Sequence, residues 1–221
     1  MRLNRYIAQS TSFTRREADT LIREGRVLVN GTMVKDLGTQ VDPETDRVLL
    51  DGEPVEGGAL FYILFNRPVG FLPDTTLLAH HLPHDRANWE DLPLSLSEED
   101  CGLELMSNDS DLIQGLLRST KASSFLYHIF FDEPVTADSV SLIAAQKGVQ
   151  TAVLIEGSNG RQLGLSCGMQ QGGEVRELLS DLHCNILKLD RVMIYGLTKK
   201  NLPRGKSREL SRKELSFLKM A

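Results

Sequence analysis

The amino-acid sequence predicts an α+β protein in two parts, a small N-terminal domain at residues 1–56 and a larger domain at residues 59–221. Helical and strand-like segments follow one another irregularly, without the regular alternation that marks α/β folds. The residues Glu56-Gly57-Gly58 are typical of a linker. The chain has 221 residues, which is long enough to bury a hydrophobic core in each part.

Local signals predict each element of the N-terminal part. Leu3 and Ile7 mark one face of a short first helix. Thr14 and Glu17 form a capping box that opens a second helix, which Gly25 is placed to end. The remaining predicted elements are a strand over 27–29, a hairpin turn at Asn30-Gly31 and a strand over 47–51.

The larger part reads as several strands and helices of ordinary length. We expect strands over 60–66, 103–107, 125–131, 151–156, 162–167 and 186–194. We expect helices over 109–118, 136–146 and 174–182, and a terminal helix that begins after the capping residue Ser211. Residues 70–101 contain several prolines and many acidic residues, which predicts irregular structure.

Composition excludes several classes of protein. Hydrophobic residues make up 41% and charged residues 25%, as in ordinary globular proteins. No apolar run approaches the roughly 20 residues of a membrane span, and the N-terminus does not resemble a signal peptide. The three cysteines are widely spaced, which excludes a disulfide framework. We expect a cytoplasmic protein that does not associate with membranes.

The net charge of −5 hides an uneven distribution. Residues 1–35 carry a net charge of +4, residues 36–117 carry −14, and residues 188–221 carry +7. Fields fall off within about 10 Å at ordinary salt, so local basic patches can attract a phosphate backbone despite the acidic total. Both ends of the chain are therefore candidates for RNA contact.

The N-terminal sequence resembles the alpha-L RNA-binding domain of ribosomal protein S-four and its relatives. The matching runs are Arg2-Leu3-Asn4-Arg5-Tyr6-Ile7-Ala8, Thr14-Arg15-Arg16-Glu17-Ala18-Asp19 and Gly25-Arg26-Val27-Leu28-Val29-Asn30-Gly31. The resemblance implies that six residues lie at the RNA surface: Arg2, Arg5, Arg15, Arg16, Arg26 and Asn30. The alternative is that some of these arginines only cap helices or pair with Glu17, Asp19 or Glu24.

The rest of the chain resembles the RsuA-type ribosomal RNA pseudouridine synthases. The matching segments, in the family's order, are Asn66–Gly70, Gly102–Asp109, Tyr127–Val135, Glu174–Leu178, Leu189–Arg191 and Leu202–Leu210. The resemblance implies a mixed, mainly antiparallel sheet, and isomerisation of uridine in RNA without cofactor or metal. It also implies an Asp that acts at the ribose, an Arg that holds this carboxylate and a Tyr that stacks on the flipped base. Arg176 and Tyr127 fit the last two roles.

The sequence departs from this family at the catalytic Asp. That Asp lies five residues before the Gly of the Gly102 strand, where this chain has Ser97, and Asp100 occupies the family's usual Thr position. A Ser hydroxyl is not ionised at neutral pH and cannot simply replace a carboxylate. In an extended chain Glu99 would lie about 6.6 Å beyond Ser97, and Asp100 further still.

These observations predict an RNA-binding protein, with ribosomal RNA as its partner, that is catalytically degenerate. The alternative is an active synthase that uses a carboxylate of the 91–100 segment: Asp91, Glu98, Glu99 or Asp100. The residue beside Arg176 separates the two, because a carboxylate there favours the enzyme and Ser97 there favours the binding protein.

Arg176 and Tyr127 also have structural interpretations. Arg176 could pair with Glu174, Glu177 or Asp181 on its own helix. Tyr127 could simply fill the core beneath its strand.

Basic residues near the C-terminus complete the predicted RNA surface, namely Lys199, Lys200, Arg204 and Lys206. The acidic segment 74–111 has two interpretations, repulsion of RNA from the cleft or binding of a basic partner protein.

His80, His81, His84 and Asp85 form a histidine-rich tract, which raises the question of a metal site. Pro83 interrupts any helix that would align these side chains. We therefore expect an exposed loop and no bound metal.

Overall fold

The computed structural model describes residues 1–11, 13–43, 45–55, 60–71, 96–118, 125–169 and 171–220. The chain divides into two compact units. Residues 1–60 with Asn108–Ser110 belong to the first, and most of the chain after residue 60 belongs to the second.

The first unit packs two helices and a small sheet. Its helices are α1 (Leu3–Ser10) and α2 (Arg15–Arg23), and its strands are β1 (Val27–Val29), β2 (Thr32–Val34), β3 (Val48–Leu50) and β4 (Glu53–Pro54). The strands pair antiparallel in the order β2-β1-β3-β4. The predicted capping box is present, because Thr14 accepts a hydrogen bond from the Glu17 backbone and Glu17 returns one. Asn30 adopts a φ of 51°, as a tight hairpin turn requires.

The second unit is a mixed sheet with one central parallel pair. Its strands are β5 (Tyr62–Arg67), β6 (Cys101–Ser107), β7 (Phe125–Phe131), β8 (Val149–Leu154), β9 (Gln162–Cys167), β10 (Ile186–Ile194), β11 (Leu197–Thr198) and β12 (Ser207–Glu209). They run in the order β12-β5-β6-β10-β7-β9-β8, with β11 paired to β10. Only the β6–β10 pair is parallel among the described strands.

Four helices accompany this sheet: α3 (Ser110–Arg118), α4 (Ala137–Ala144), α5 (Gly172–Asp181) and α6 (Arg212–Lys219). Helix α5 contacts β10 and helix α4 contacts β8. Val175 and Leu179 of α5 join buried side chains of the sheet strands in one apolar core. Burial of this face is what holds α5, and the side chains it carries, in a set position on the sheet.

Gly102 is required where β6 and β10 run side by side. Its φ is +121°, and a Cβ there would lie 2.3 Å from the carbonyl oxygen of Arg191. Only glycine permits this approach of two backbones. The close pairing determines where β6 begins, and so where the turn before it lies.

Within the described residues, no helix is both long and apolar enough to cross a bilayer.

Candidate functional site

A tight turn immediately before β6 brings a hydroxyl and a carboxylate together. The Asp100 backbone N–H donates to the carbonyl oxygen of Ser97 at 3.0 Å and closes the turn over residues 97–100. Ser97 Oγ then lies 2.5 Å from Asp100 Oδ2. The chain is folded back here, so the extended-chain spacing expected for this segment is wrong. Asp100 is closer to Ser97 than that spacing predicted.

Arg176 reaches this turn from the second turn of α5. Its Nε and Nη2 donate to Asp100 Oδ1 at 2.9 and 2.6 Å. Its Nη1 lies 3.4 Å from Glu99 Oε2. The hydrogen bond to Asp100 raises the pKa of Arg176 above its ordinary value, against the opposing effect of burial. These two partners of Arg176 lie 76 and 77 residues away in sequence, outside its own helix.

The Asp100 carboxylate also faces the start of α5. A Cβ placed at Gly172, the first residue of that helix, would lie 3.0 Å from Asp100 Oδ2. The helix N-terminus carries partial positive charge from its unsatisfied N–H groups, which favours a nearby anion. Glycine at this position leaves room for the carboxylate against the helix.

Access to the groups of this cluster differs sharply. The Asp100 side chain is 0% exposed and that of Arg176 is 22% exposed, whereas that of Glu99 is 78% exposed. Ser97 is exposed. A ligand approaching the turn therefore meets the exposed residues Ser97 and Glu99 before it meets Asp100.

A second arginine, which is buried, anchors the segment that leads into the turn. Arg67, at the end of β5, is 2% exposed and donates to the carbonyl oxygens of Leu96 and Phe71. Its Nη1 also lies 3.1 Å from Glu104 Oε1, and that oxygen accepts from the Leu96 backbone N–H at 3.2 Å. We did not single out Arg67 or Glu104 for the site. The usable signal was a charged residue within each of two largely apolar strands, β5 and β6.

Tyr127 lies inside the core in this structure. Its side chain belongs to β7, is fully buried, and donates from its hydroxyl to the carbonyl oxygen of Met169 at 2.9 Å. Burial raises the pKa of Tyr127. Its ring stacks with that of Phe125 at 6.3 Å. The structure therefore places Tyr127 as a residue that fills the core beneath its strand.

Cys101, next to Asp100, is buried, and burial raises the pKa of its thiol. The thiol form is therefore favoured over the nucleophilic thiolate. The histidine-rich tract lies outside the described residues. Among the residues that are described, no group of three or more His, Cys, Asp or Glu side chains is placed to hold a metal ion.

Comparison with known proteins bears on both units. The S4 domain family matches residues 1–48. An uncharacterized RNA pseudouridine synthase of Aquifex aeolicus (strain VF5) is 28% identical over 238 aligned residues, which cover 99% of this chain and 93% of the relative. The dual-specificity RNA pseudouridine synthase RluF of Escherichia coli (strain K12) is 28% identical over 236 aligned residues, which cover 97% and 77%. The crystal structure of a pseudouridylate synthase matches with a TM-score of 0.56 and 20% identity, and covers 99% of both chains.

The chain combines an S4 domain with a pseudouridine synthase fold. The prediction of an α+β fold with these two components is confirmed.

The predicted RNA-binding residues of the S4 domain divide into exposed and engaged side chains. Arg2 and Arg16 are exposed and Arg15 is half-buried. Arg26 forms a forked pair with Asp51, at 2.8 and 2.5 Å, and lies 3.5 Å from Glu24. These two carboxylates raise the pKa of Arg26. For this arginine, intramolecular pairing with a carboxylate is present.

Asn30 and Arg5 are likewise engaged. The Asn30 side chain donates to Asp46 at 2.8 Å and accepts from the Arg47 backbone N–H at 2.9 Å. These bonds tie the hairpin turn to the segment before β3. Arg5 Nη2 lies 3.1 Å from Asp109 Oδ1.

The basic residues near the C-terminus divide in the same way. Lys199 and Arg204 both donate to Asp190 Oδ2, at 2.8 and 2.5 Å. Burial raises the pKa of Asp190, but hydrogen bonds from Arg204 and Lys199 outweigh it and leave that pKa below its ordinary value. Lys200 and Lys206 are exposed.

Proposed function

We propose that this protein binds structured RNA, with ribosomal RNA as the target, and that it does not isomerise uridine. The S4 domain and the basic C-terminal segment each provide a surface for RNA. The pseudouridine synthase fold is kept as a scaffold. RluF is a dual-specificity RNA pseudouridine synthase and the Aquifex aeolicus relative is an uncharacterized one, which supports an RNA ligand.

The burial and pairing of the Asp100 carboxylate are the observations that support a loss of catalysis. Both of its oxygens are occupied, Oδ1 by Arg176 and Oδ2 by Ser97, and the side chain is fully buried. A nucleophile or base must contact the reacting atoms directly. A carboxylate held in this way orients a turn and is not presented to a ribose.

At the position where the family pattern has its catalytic Asp, the exposed residue of this chain is Ser97, whose hydroxyl donates to Asp100. A hydroxyl needs an adjacent base to become a nucleophile. The carboxylate beside it is already committed to Arg176. Relative to the family pattern, hydroxyl and carboxylate have exchanged places, with Ser97 in the position of the Asp and Asp100 in the position of the Thr.

The test is a mass-labelling assay for pseudouridine on total rRNA from a host depleted of its own synthases, combined with a binding measurement on the same RNA. We expect the wild-type protein to bind the RNA and to form no pseudouridine. The substitution pair Arg2→Gln and Arg16→Gln should weaken binding, whereas Lys147→Gln, on the second unit, should not. Conversion by the wild-type protein would contradict the proposed loss of catalysis.

An exchange variant sharpens this test. Ser97→Asp with Asp100→Ser moves the carboxylate to the exposed position, and keeps the net charge and a partner for the hydroxyl. If this variant forms pseudouridine and the wild type does not, the exchange of the hydroxyl and the carboxylate accounts for the loss of activity.

The second candidate function is an active synthase that uses Asp100. By the criterion drawn from the sequence, the Asp100 carboxylate beside Arg176 favours this enzyme, because Ser97 does not take that place. We nevertheless propose the binding protein first, because Asp100 is fully buried and its second oxygen lies against Ser97. If the chain is an active synthase, the wild type would convert uridine to pseudouridine, and Asp100→Asn would abolish this conversion. Ser97→Ala would remove the group that lies against the Asp100 carboxylate and would leave the conversion intact.

A further inference from the structure

A cleft of about 640 Å³ lies on the second unit, beside the hairpin that joins β10 to β11. The hairpin turn is Tyr195-Gly196, and both residues have positive φ values, 47° and 80°. Side chains of the segment after β11 and of α6 line the cleft. Its volume falls within the range of ligand sites, roughly 300–1,000 Å³.

An exposed aromatic ring forms one side of this cleft. Phe217 of α6 is 52% exposed, although Leu218 next to it is buried. A Cβ placed at Gly196 would lie 3.0 Å from Phe217 Cε1, so the ring rests against the glycine of the hairpin turn. Gly196 supports the ring in place while much of its surface stays open. An aromatic face held open at a cleft is a stacking platform for a base.

Two lysines of the cleft have no carboxylate partner among the residues that the structure describes. Lys200 and Lys213 are both exposed lining residues. Arg208, in the same cleft, is instead paired with Glu214 at 2.7 and 2.9 Å. Residues 196–220 contain eight basic and two acidic residues, so the surroundings are strongly positive. This charge suits a phosphate and opposes a cationic ligand.

We propose that this cleft binds one unpaired nucleotide of an RNA strand. The base stacks on Phe217, and the flanking phosphates lie against Lys200 and Lys213. Asn201, also a lining residue, has an amide that can both donate to and accept from a base edge. An acidic peptide could also pair with the two lysines, but its carboxylates would make no contact that requires the exposed ring of Phe217.

This proposal rests on RNA being the ligand of the chain, but it concerns a site separate from the S4 domain. The probes are a fluorescent hexauridine and an abasic ribose-phosphate hexamer of the same length, titrated by anisotropy against the full-length protein. Phe217→Ala should weaken hexauridine binding by roughly 5- to 100-fold and leave the abasic hexamer unchanged. Phe217→Tyr, which keeps a stacking ring, should restore binding.

The lysines give an independent readout. Lys200→Gln with Lys213→Gln should make the slope of log affinity against log salt shallower by about 1.4, since each phosphate contact on a single strand contributes about 0.7. Leu187→Ala and Lys147→Gln are matched controls, an exposed apolar residue and an exposed lysine outside the cleft. Urea midpoints confirm that every variant is folded.

Three outcomes would overturn the cleft assignment. Phe217→Ala could leave hexauridine binding unchanged, hexaglutamate could displace the RNA with no dependence on Phe217, or the abasic hexamer could respond as hexauridine does. Binding of a structured rRNA fragment is measured in parallel. If that binding persists while hexauridine fails to bind, the cleft proposal fails and the proposed function stands. If neither RNA binds, both fail.

Discussion

Arg176 holds Asp100 by a single carboxylate oxygen, with its Nε at 2.9 Å and its Nη2 at 2.6 Å from Oδ1. The other oxygen lies 2.5 Å from Ser97 Oγ. The carboxylate thus joins the turn before β6 to helix α5. Because it is fully buried, its removal should be felt first in the free energy of unfolding.

Asp100→Asn should lower the free energy of unfolding by about 3 kcal/mol, because it leaves the largely buried guanidinium of Arg176 without its main charged partner. The matched control is Glu99→Gln, which removes the 78% exposed partner of the same arginine and should cost less than about 0.5 kcal/mol. Urea unfolding measures both. Equal midpoints for the two variants would contradict a structural role for Asp100.

Gly102→Ala should destabilise the second unit by about 3 kcal/mol or more. Its φ of +121° is unfavourable for alanine, and the new Cβ would lie 2.3 Å from a backbone oxygen that cannot move aside. Gly115→Ala is the control, since this glycine lies inside α3 with nothing within 4 Å of a Cβ. It should raise stability by about 0.5–1 kcal/mol. Thermal or urea unfolding measures both changes, a lower stability for Gly102→Ala and a higher stability for Gly115→Ala.

Glu214 should contribute to unfolding in acid. The hydrogen bond from Arg208 lowers its pKa from 4.5 to about 2, against a smaller opposing effect of burial. A group with a depressed pKa in the folded state stabilises the protein fully above pH 4.5, and this contribution is lost as the pH falls toward 2. Glu214→Gln should therefore flatten the fall in stability between pH 4.5 and 2. Glu156→Gln, at an exposed glutamate of the second unit, is the control and should leave the profile steep.

Arg204 and Lys206 should differ although both are exposed and basic. Arg204→Gln removes a charge-assisted hydrogen bond from buried Asp190, so we expect a loss of about 2 kcal/mol in unfolding free energy. The pKa of Asp190 in the folded protein should also rise toward its ordinary value, so the loss of stability that this group contributes in acid should become smaller. Lys206→Gln should change neither quantity. A stability loss shared by both variants would point to general surface charge instead of the Asp190 pair.

Most elements were predictable because their signals are local. The Thr14–Glu17 and Ser211–Glu214 capping boxes and the Asn30-Gly31 turn each involve residues at most three positions apart, and all are present. The short strands β11 and β12 were not predicted. With two and three residues they are too short to show a periodicity, and they exist because β10 and β5 supply their hydrogen bonds.

By itself, the sequence determined the α+β class, the helix caps and the hairpin, and its resemblance to the pseudouridine synthases predicted Ser97 in place of an Asp. Only the tertiary structure decided that Asp100 is the carboxylate beside Arg176. The physical reason on one side of this contact is that a tight turn over residues 97–100 brings Asp100 back to Ser97, whereas an extended chain would separate them. On the other side, packing of α5 on the sheet brings Arg176 to Asp100, although the two residues are 76 positions apart in sequence. Neither effect leaves a periodic or compositional trace, because both depend on where distant backbones pack.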